Sequence, residues 1–413
     1  MDAMNGLPLT HALLDGDDRD IVTQCLRAIR EHLNMDIGVL SEFVDDTYVL
    51  RALDAPGLED QLKVGDTFPL EIMYCPQVDA GNLPAVITDS RDHALAMSLP
   101  ITDMVGIRSY VGLPVRRADG TVYGMFCCVS AKPNPSLNER DLEMMRIFAD
   151  LASHDVNRQL RDKQAIVALN ESLDAAAAPG GVEIHFQPIV GLEDMKMIGV
   201  EALSRFQVPP HQPPNVWFES AARVSRHCDL EIAVIEQALS ALPDLPSHIT
   251  LSLNASPDTV ATGRLAEVLR RASPERLVLE VTEHAQIDDY GTLNRELDRL
   301  RTCGVRLAVD DAGSGYAGLS HIIQLRPDTI KLDLSLVRDI DRDKVRQALT
   351  VAMCHFAAEI SASLIAEGIE TQAELAMLRS LGVHAGQGYL LGRPQPLEML
   401  LQGEGPASRA GAA

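Results

Sequence analysis

The spacing of apolar positions changes twice along this chain. Up to about residue 140 they fall in short alternating runs, DIGVLSEF, SYVGLPVRR and TVYGMFCCVS, which predict strands of an antiparallel sheet with a hairpin turn at ADG, 118–120. Helices are predicted on either side, over 19–33 and from 137 onward. Residues 141–173 contain neither Pro nor Gly, and Leu142, Met145, Phe148 and Leu151 recur at helical spacing. The run AAAAPGG at 175–181 ends that helix. A solvated connector and a dimeric coiled coil both suit its thin apolar stripe. Beyond it, eight apolar runs alternate with helical patterns: IHFQPIV, MIGVEAL, ITLSLN, LVLEV, VRLAVDD, DTIKLD, SLIAEG and GQGYLL. The predicted architecture is therefore an α+β unit over 17–160, a connecting helix and linker over 141–178, and an α/β (β/α)8 barrel over 181–403.

Composition narrows the classes of function. A length of 413 residues exceeds one ordinary core of ~100–200 residues, in keeping with two units. Against 36 Lys and Arg stand 59 Asp and Glu, a net charge of −23, which disfavours a basic track along DNA. The N-terminal residues show neither a basic nor an apolar export segment, so a cytoplasmic location is expected. The most apolar stretch, 348–366, is interrupted by His355 and Glu359 and reads as a buried helix running into a strand rather than a membrane span. Seven cysteines without C-x-x-C spacing suit reduced thiols and not structural zinc.

Candidate chemistry lies where the barrel strands end. Glu201 follows IGV, Asn254 ends LSL, Glu280 follows VL, Asp310 and Asp311 follow LAV, Lys331 lies in TIKLD, Glu367 follows LIA, and Gln387 opens QGYL. Strand ends form the mouth of such a barrel, so these side chains are expected to converge. One acidic strand end alone is ordinarily a helix cap or solvated loop residue. Five carboxylates and an amide together repel strongly without cations, and an all-oxygen set suits Mg²⁺ or Mn²⁺ rather than zinc.

The motifs GVEALSR (199–205), LSLNASP (251–257), LEVTE (279–283), DDAGSGYAGLS, IKLD (330–333), AEGIET and QGYLLGRP resemble, in order, those of EAL-domain cyclic di-GMP phosphodiesterases. The resemblance spans about 181–400. It implies a modified TIM barrel in which two Mg²⁺ or Mn²⁺ ions hydrolyse cyclic di-GMP to linear pGpG. Glu201, Asn254, Glu280 and Asp310 would hold one ion, and Asp310, Asp311 and Glu367 the other, with Asp310 bridging. Such an ion pair acidifies a water and clamps the phosphate through in-line displacement. By the same resemblance Lys331 orients that water or steadies developing charge. Gln187, Arg205 and Asp333 would bind substrate. Glu283, Glu370 and Gln387 would organise loops and ligands, with Glu283 also counted in the catalytic set. Homodimerisation is a further implication.

Two departures bear on rate and regulation. The family's aromatic after the paired aspartates is Ala312, and its serine pair is Ala317–Gly318. The GSG run at 313–315 lies inside a matched motif and has no phosphate-cradling role. The N-terminal unit, through YCPQV, LPAVITDS and SYVGLPV with ADGTVYG, resembles a GAF sensor whose ligand is unknown. Cys75 or Cys127 could carry a chromophore there and His93 a haem, although buried structural cysteines and surface histidines are commoner. A catalytically silent cyclic di-GMP receptor or protein-interaction module is the alternative to an enzyme.

Overall fold

The computed structural model describes residues 21–281, 289–312 and 318–402, and no side chain over 311–321. Two compact units divide near residue 165. In the first, β1 (Ile37–Val44), β2 (Thr47–Asp54), β3 (Thr67–Pro69), β4 (Val86–Ile87), β5 (Ser109–Arg116) and β6 (Val122–Ser130) form one antiparallel sheet in the order β3-β2-β1-β6-β5-β4. Period-two alternation sends successive side chains to opposite faces. One face packs Leu40, Val111, Phe126 and Cys128 against helices Ile21–His32 and Glu139–Ala177, whose buried residues include Leu26, Ile29, Met145 and Phe148. The other face carries Val39, Tyr48, Tyr110 and Cys127 and is covered by the short helices of residues 70–105. The predicted runs do not include β2 or the edge strands β3 and β4.

Helix Glu139–Ala177 is longer than the predicted 141–173, and its end packs in the second unit, where Leu173 and Ala176 join the barrel core. The barrel consists of β7 (Val182–Gly191), β8 (Met197–Phe206), β9 (Thr250–Ala255), β10 (Leu277–Val281), β11 (Arg306–Ala312), β12 (Thr329–Leu332), β13 (Ser363–Ala366) and β14 (Ala385–Gly386). These close in the order β10-β11-β12-β13-β14-β7-β8-β9. Alternate residues such as Leu251, Leu253, Leu277, Leu279, Leu307 and Val309 are buried in the barrel's apolar core.

The regular pattern is modified at β7, which runs antiparallel to both β8 and β14 while the other pairs are parallel. Only residues 192–196 separate β7 from β8, and a parallel crossover needs about a dozen residues or more, so these strands can join only as a hairpin. The run GQGYLL contributes a single residue to β14, and the backbone turns after it. The stretch expected as a buried helix and strand forms Lys344–Glu359 and β13, but the helix is only partly covered: Val345, Leu349 and Val351 face solvent.

Candidate active site

Lys331 is the third residue of β12, a strand buried along its whole length. Its Nζ lies 2.6 Å from Glu280 Oε2, 2.6 Å from Glu367 Oε1, 3.3 Å from Asp310 Oδ1 and 3.4 Å from Glu201 Oε2. The carboxylates come from β10, the residue just beyond β13, β11 and β8, so the parallel register of the barrel makes the cluster. Glu201 is held from two more sides. Asn254 Nδ2 donates to its Oε1 at 2.9 Å, and Gln387 Nε2 donates to its Oε2 at 2.6 Å. The same Gln387 nitrogen reaches Gln187 Oε1 at 2.8 Å, and Gln187 Nε2 donates to the Gly392 carbonyl at 3.1 Å. Gln187 sits directly opposite Glu201 in the β7–β8 hairpin, which brings it into the site although its strand runs the other way.

Glu201 does not end its strand as expected. β8 continues to Phe206, placing Arg205 on the same face four residues further on, where its guanidinium donates to the Ser204 carbonyl at 2.7 Å. Asp333 caps helix Leu334–Val337 by accepting from Ser335 N–H. Glu370 points to Arg338, 3.8 Å away and half-exposed. The cluster thus unites Gln187, Glu201, Asn254, Glu280, Asp310, Lys331, Glu367 and Gln387. Arg205, Asp333 and Glu370 have their described partners elsewhere. Glu283 and the side chain of Asp311 lie outside the described residues.

Strand ends alone do not single out Glu374. It is buried, forms a capping box with Thr371, and accepts N–H bonds from Glu370, Thr371 and Asp339, pinning the chain after Glu367. The signal was legible as T-x-x-E at 371–374. Gly388 locks the other side: a Cβ there would lie 2.2 Å from the Ile369 nitrogen, and that backbone cannot yield as a flexible side chain would.

The cluster is short of positive charge. Burial pushes Glu280 up to about 8, with Glu201 and Asp310 adding to it against the opposing Lys331. Burial likewise raises Glu367 to about 8, helped by Asp310 and Glu201 and opposed by Lys331. For Glu201, burial is outweighed by Lys331 and the Asn254 and Gln387 hydrogen bonds, and its pKa falls. One ammonium faces four carboxylates. Divalent hard cations fit this surplus and this all-oxygen donor set. Among the described residues no three acidic, His or Cys side chains already surround a cation position, because the carboxylates converge on Lys331. A cation must share these oxygens with the ammonium or displace it.

Comparison with known proteins agrees with this geometry. The EAL domain matches residues 170–394 and the GAF domain residues 17–156. Two relatives from Pseudomonas aeruginosa are the bifunctional diguanylate cyclase/cyclic di-GMP phosphodiesterase MucR and the cyclic di-GMP phosphodiesterase NbdA. MucR is 30% identical over 365 residues, 82% of this chain and 50% of MucR. NbdA is 29% identical over 306 residues, 68% of this chain and 39% of NbdA. The chain therefore spans half or less of the length of these relatives. A solved structure described as PaMucR phosphodiesterase in complex with c-di-GMP is 28% identical with a TM-score of 0.51, covering 56% of this chain and 99% of that one. An EAL-domain protein from Listeria monocytogenes, at 24% identity and TM-score 0.52, shares the fold. With its closed barrel, its acidic cluster and a match over more than half its length, the chain belongs to the EAL-domain family and carries a GAF domain ahead of the barrel.

Proposed function

We propose that the barrel hydrolyses cyclic di-GMP to linear pGpG and that the GAF domain regulates it. The observation that carries the reading is the convergence of Glu201, Glu280, Asp310 and Glu367 on Lys331, with Asn254 bonded to Glu201. The named activities of MucR and NbdA support the substrate. Glu201, Asn254, Glu280 and Asp310 would hold one Mg²⁺ or Mn²⁺, and Asp310, Asp311 and Glu367 a second. Bound there, the ions supply Lewis acidity and charge to the scissile phosphate and its attacking water. Gln387 and Asn254 fix the Glu201 carboxylate, while the buried ammonium of Lys331 stabilises charge developing on the phosphate or orients the water. Arg205 and Gln187 are assigned to substrate, the guanidinium fork matching a phosphate. Asp333 is assigned to the same surface. Glu283 and Glu370 are assigned to the loops that frame it.

The test is product chromatography of cyclic di-GMP incubated with the full chain and Mg²⁺ or Mn²⁺, beside calorimetric binding in Ca²⁺. Lys331→Met is expected to lower turnover by about 10²-fold or more while changing the binding constant little, since its role is in the transition state. Wild-type protein that binds the dinucleotide yet leaves it intact with both metals is a receptor, and that result ends the hydrolytic reading.

A further inference from the structure

The GAF domain contains a second cluster of reactive groups, separate from the carboxylates of the barrel. On the sheet face opposite helix Glu139–Ala177, a cavity of about 70 Å³ is walled by Tyr48, Tyr74, Cys75, Tyr110 and Cys127 with aliphatic side chains around them. Its wall carries no charged residue, and one of its lining residues, Val105, is exposed. Cys75 comes from helix Tyr74–Asp79 and Cys127 from the middle of β6, and both are buried. They line the same cavity, and each thiol perturbs the acidity of the other. Each also meets a phenol: Cys75 Sγ is 3.7 Å from the Tyr110 hydroxyl, and Cys127 Sγ is 4.0 Å from the Tyr48 hydroxyl. Alternation along β6 sends the adjacent Cys128 to the opposite core, away from this pair.

Volume decides what can enter. At about 70 Å³ the cavity has room for a few small molecules and lies far below the ~300 Å³ or more of an ordinary ligand pocket. A haem, a tetrapyrrole chromophore or a nucleotide cannot be accommodated without opening the core. A molecule with the size and neutrality of hydrogen peroxide can.

We propose that Cys75 and Cys127 are a dithiol that a small, uncharged hydroperoxide oxidises to a disulfide inside this cavity. The sulfur of Cys75 attacks one peroxide oxygen, the O–O bond breaks, and the departing oxygen takes the thiol proton and leaves as water. Cys75 is then a sulfenic acid. The Cys127 sulfur attacks it, the S–O bond breaks, and the hydroxyl leaves with the Cys127 proton as a second water. In sum, two thiols and one hydrogen peroxide give one disulfide and two waters. The order follows from the surroundings. Interaction with Cys127, with hydrogen bonds from Tyr110 and Tyr48, holds the Cys75 thiol below its ordinary value against burial. Interaction with Cys75, together with burial, raises Cys127. Both phenols are raised well above their ordinary value by burial and stay protonated as donors.

The test treats reduced full-length protein with hydrogen peroxide and maps its cysteines by mass spectrometry. Wild type is expected to lose two hydrogens and yield one crosslinked peptide pair joining Cys75 to Cys127, and Cys128→Ala should behave the same. In Cys127→Ser the sulfenic acid persists on Cys75 and takes up one dimedone when the oxidised protein is unfolded in the presence of the reagent. A bulky hydroperoxide such as cumene hydroperoxide should form the disulfide several-fold more slowly. Mapping on wild type needs no variant to fold. Cys75 and Cys127 that both remain free thiols overturn the proposal, whatever other cysteines do, and equal rates with the bulky reagent overturn the role of the cavity.

Discussion

A lysine buried among carboxylates balances two large, opposed effects. Burial drives Lys331 towards the neutral amine, and the attraction of Glu201, Glu280, Glu367 and Asp310 outweighs it, so its pKa stands well above the ordinary value. The excess negative charge falls on Glu280 and Glu367, each raised to about 8. A carboxyl whose folded pKa is raised stabilises the fold fully below its unfolded value, near 4.5, and loses that contribution as pH climbs to about 8. Lys331 and the lowered Glu201 do not lose stability in that window, because their shifts favour the charged forms they already hold there. Metal-free protein in EDTA should therefore show a melting temperature that falls between pH 4.5 and 8 more steeply in wild type than in Glu280→Gln. Added Mg²⁺ should flatten the wild-type slope. Calorimetry across this range checks the sign, and parallel curves for the two proteins would remove the charge surplus as a factor.

Among the elements, helix Glu139–Ala177 stands out because its two ends serve different cores, with Met145 and Phe148 in the sensor unit and Leu173 in the barrel unit. Between them Ile166 and Val167 are exposed. A regulatory signal carried by this helix depends on its rotational phase, since both ends are fixed by side chains on particular faces. Four inserted residues turn one end by about 40° relative to the other, and seven by only about 20° in the opposite sense. Insertion of four after Gln164 should alter basal cyclic di-GMP turnover, and insertion of seven should restore much of it. Turnover assays on both variants decide the matter: indistinguishable activities would make the helix a tether.

At the level of the whole molecule, the barrel leaves apolar surface uncovered. Ile323 and Ile360 line a groove with Pro327 and Phe356 between helices Gly318–Leu325 and Lys344–Glu359, with 63% and 40% of their area exposed. Such a groove can seat apolar side chains of a partner. A second copy of the chain is the expected occupant, in line with the family resemblance. Light scattering should give twice the chain mass for wild type and a single chain for Ile323→Glu with Ile360→Glu. A wild type that stays monomeric over the micromolar range would assign the groove to another role.

Much of this architecture was legible without coordinates. Runs such as ITLSLN and LVLEV announce buried strands because one strand spans a few residues and its period is local. Glu201, Asn254, Glu280, Asp310 and Glu367 are recognisable together because each is a polar residue in or beside an apolar strand, where only a common site explains the pattern. Even the reversal of β7 was implicit in the five residues before β8, although the repeating pattern on either side concealed it. Other features depend on where distant segments meet. Gln187 reaches Gln387 and Glu201 only because barrel closure sets β7 beside both β8 and β14. The choice of Glu374 over Glu370 as the buried anchor follows from how the helix after β13 packs. Whether Lys331 meets solvent or four carboxylates, and whether Cys75 and Cys127 share one cavity, likewise rests on contacts between residues tens to hundreds of positions apart. Local periodicity determines which side a residue faces. Tertiary closure determines what it faces, and burial at that point sets the charge state on which the chemistry depends.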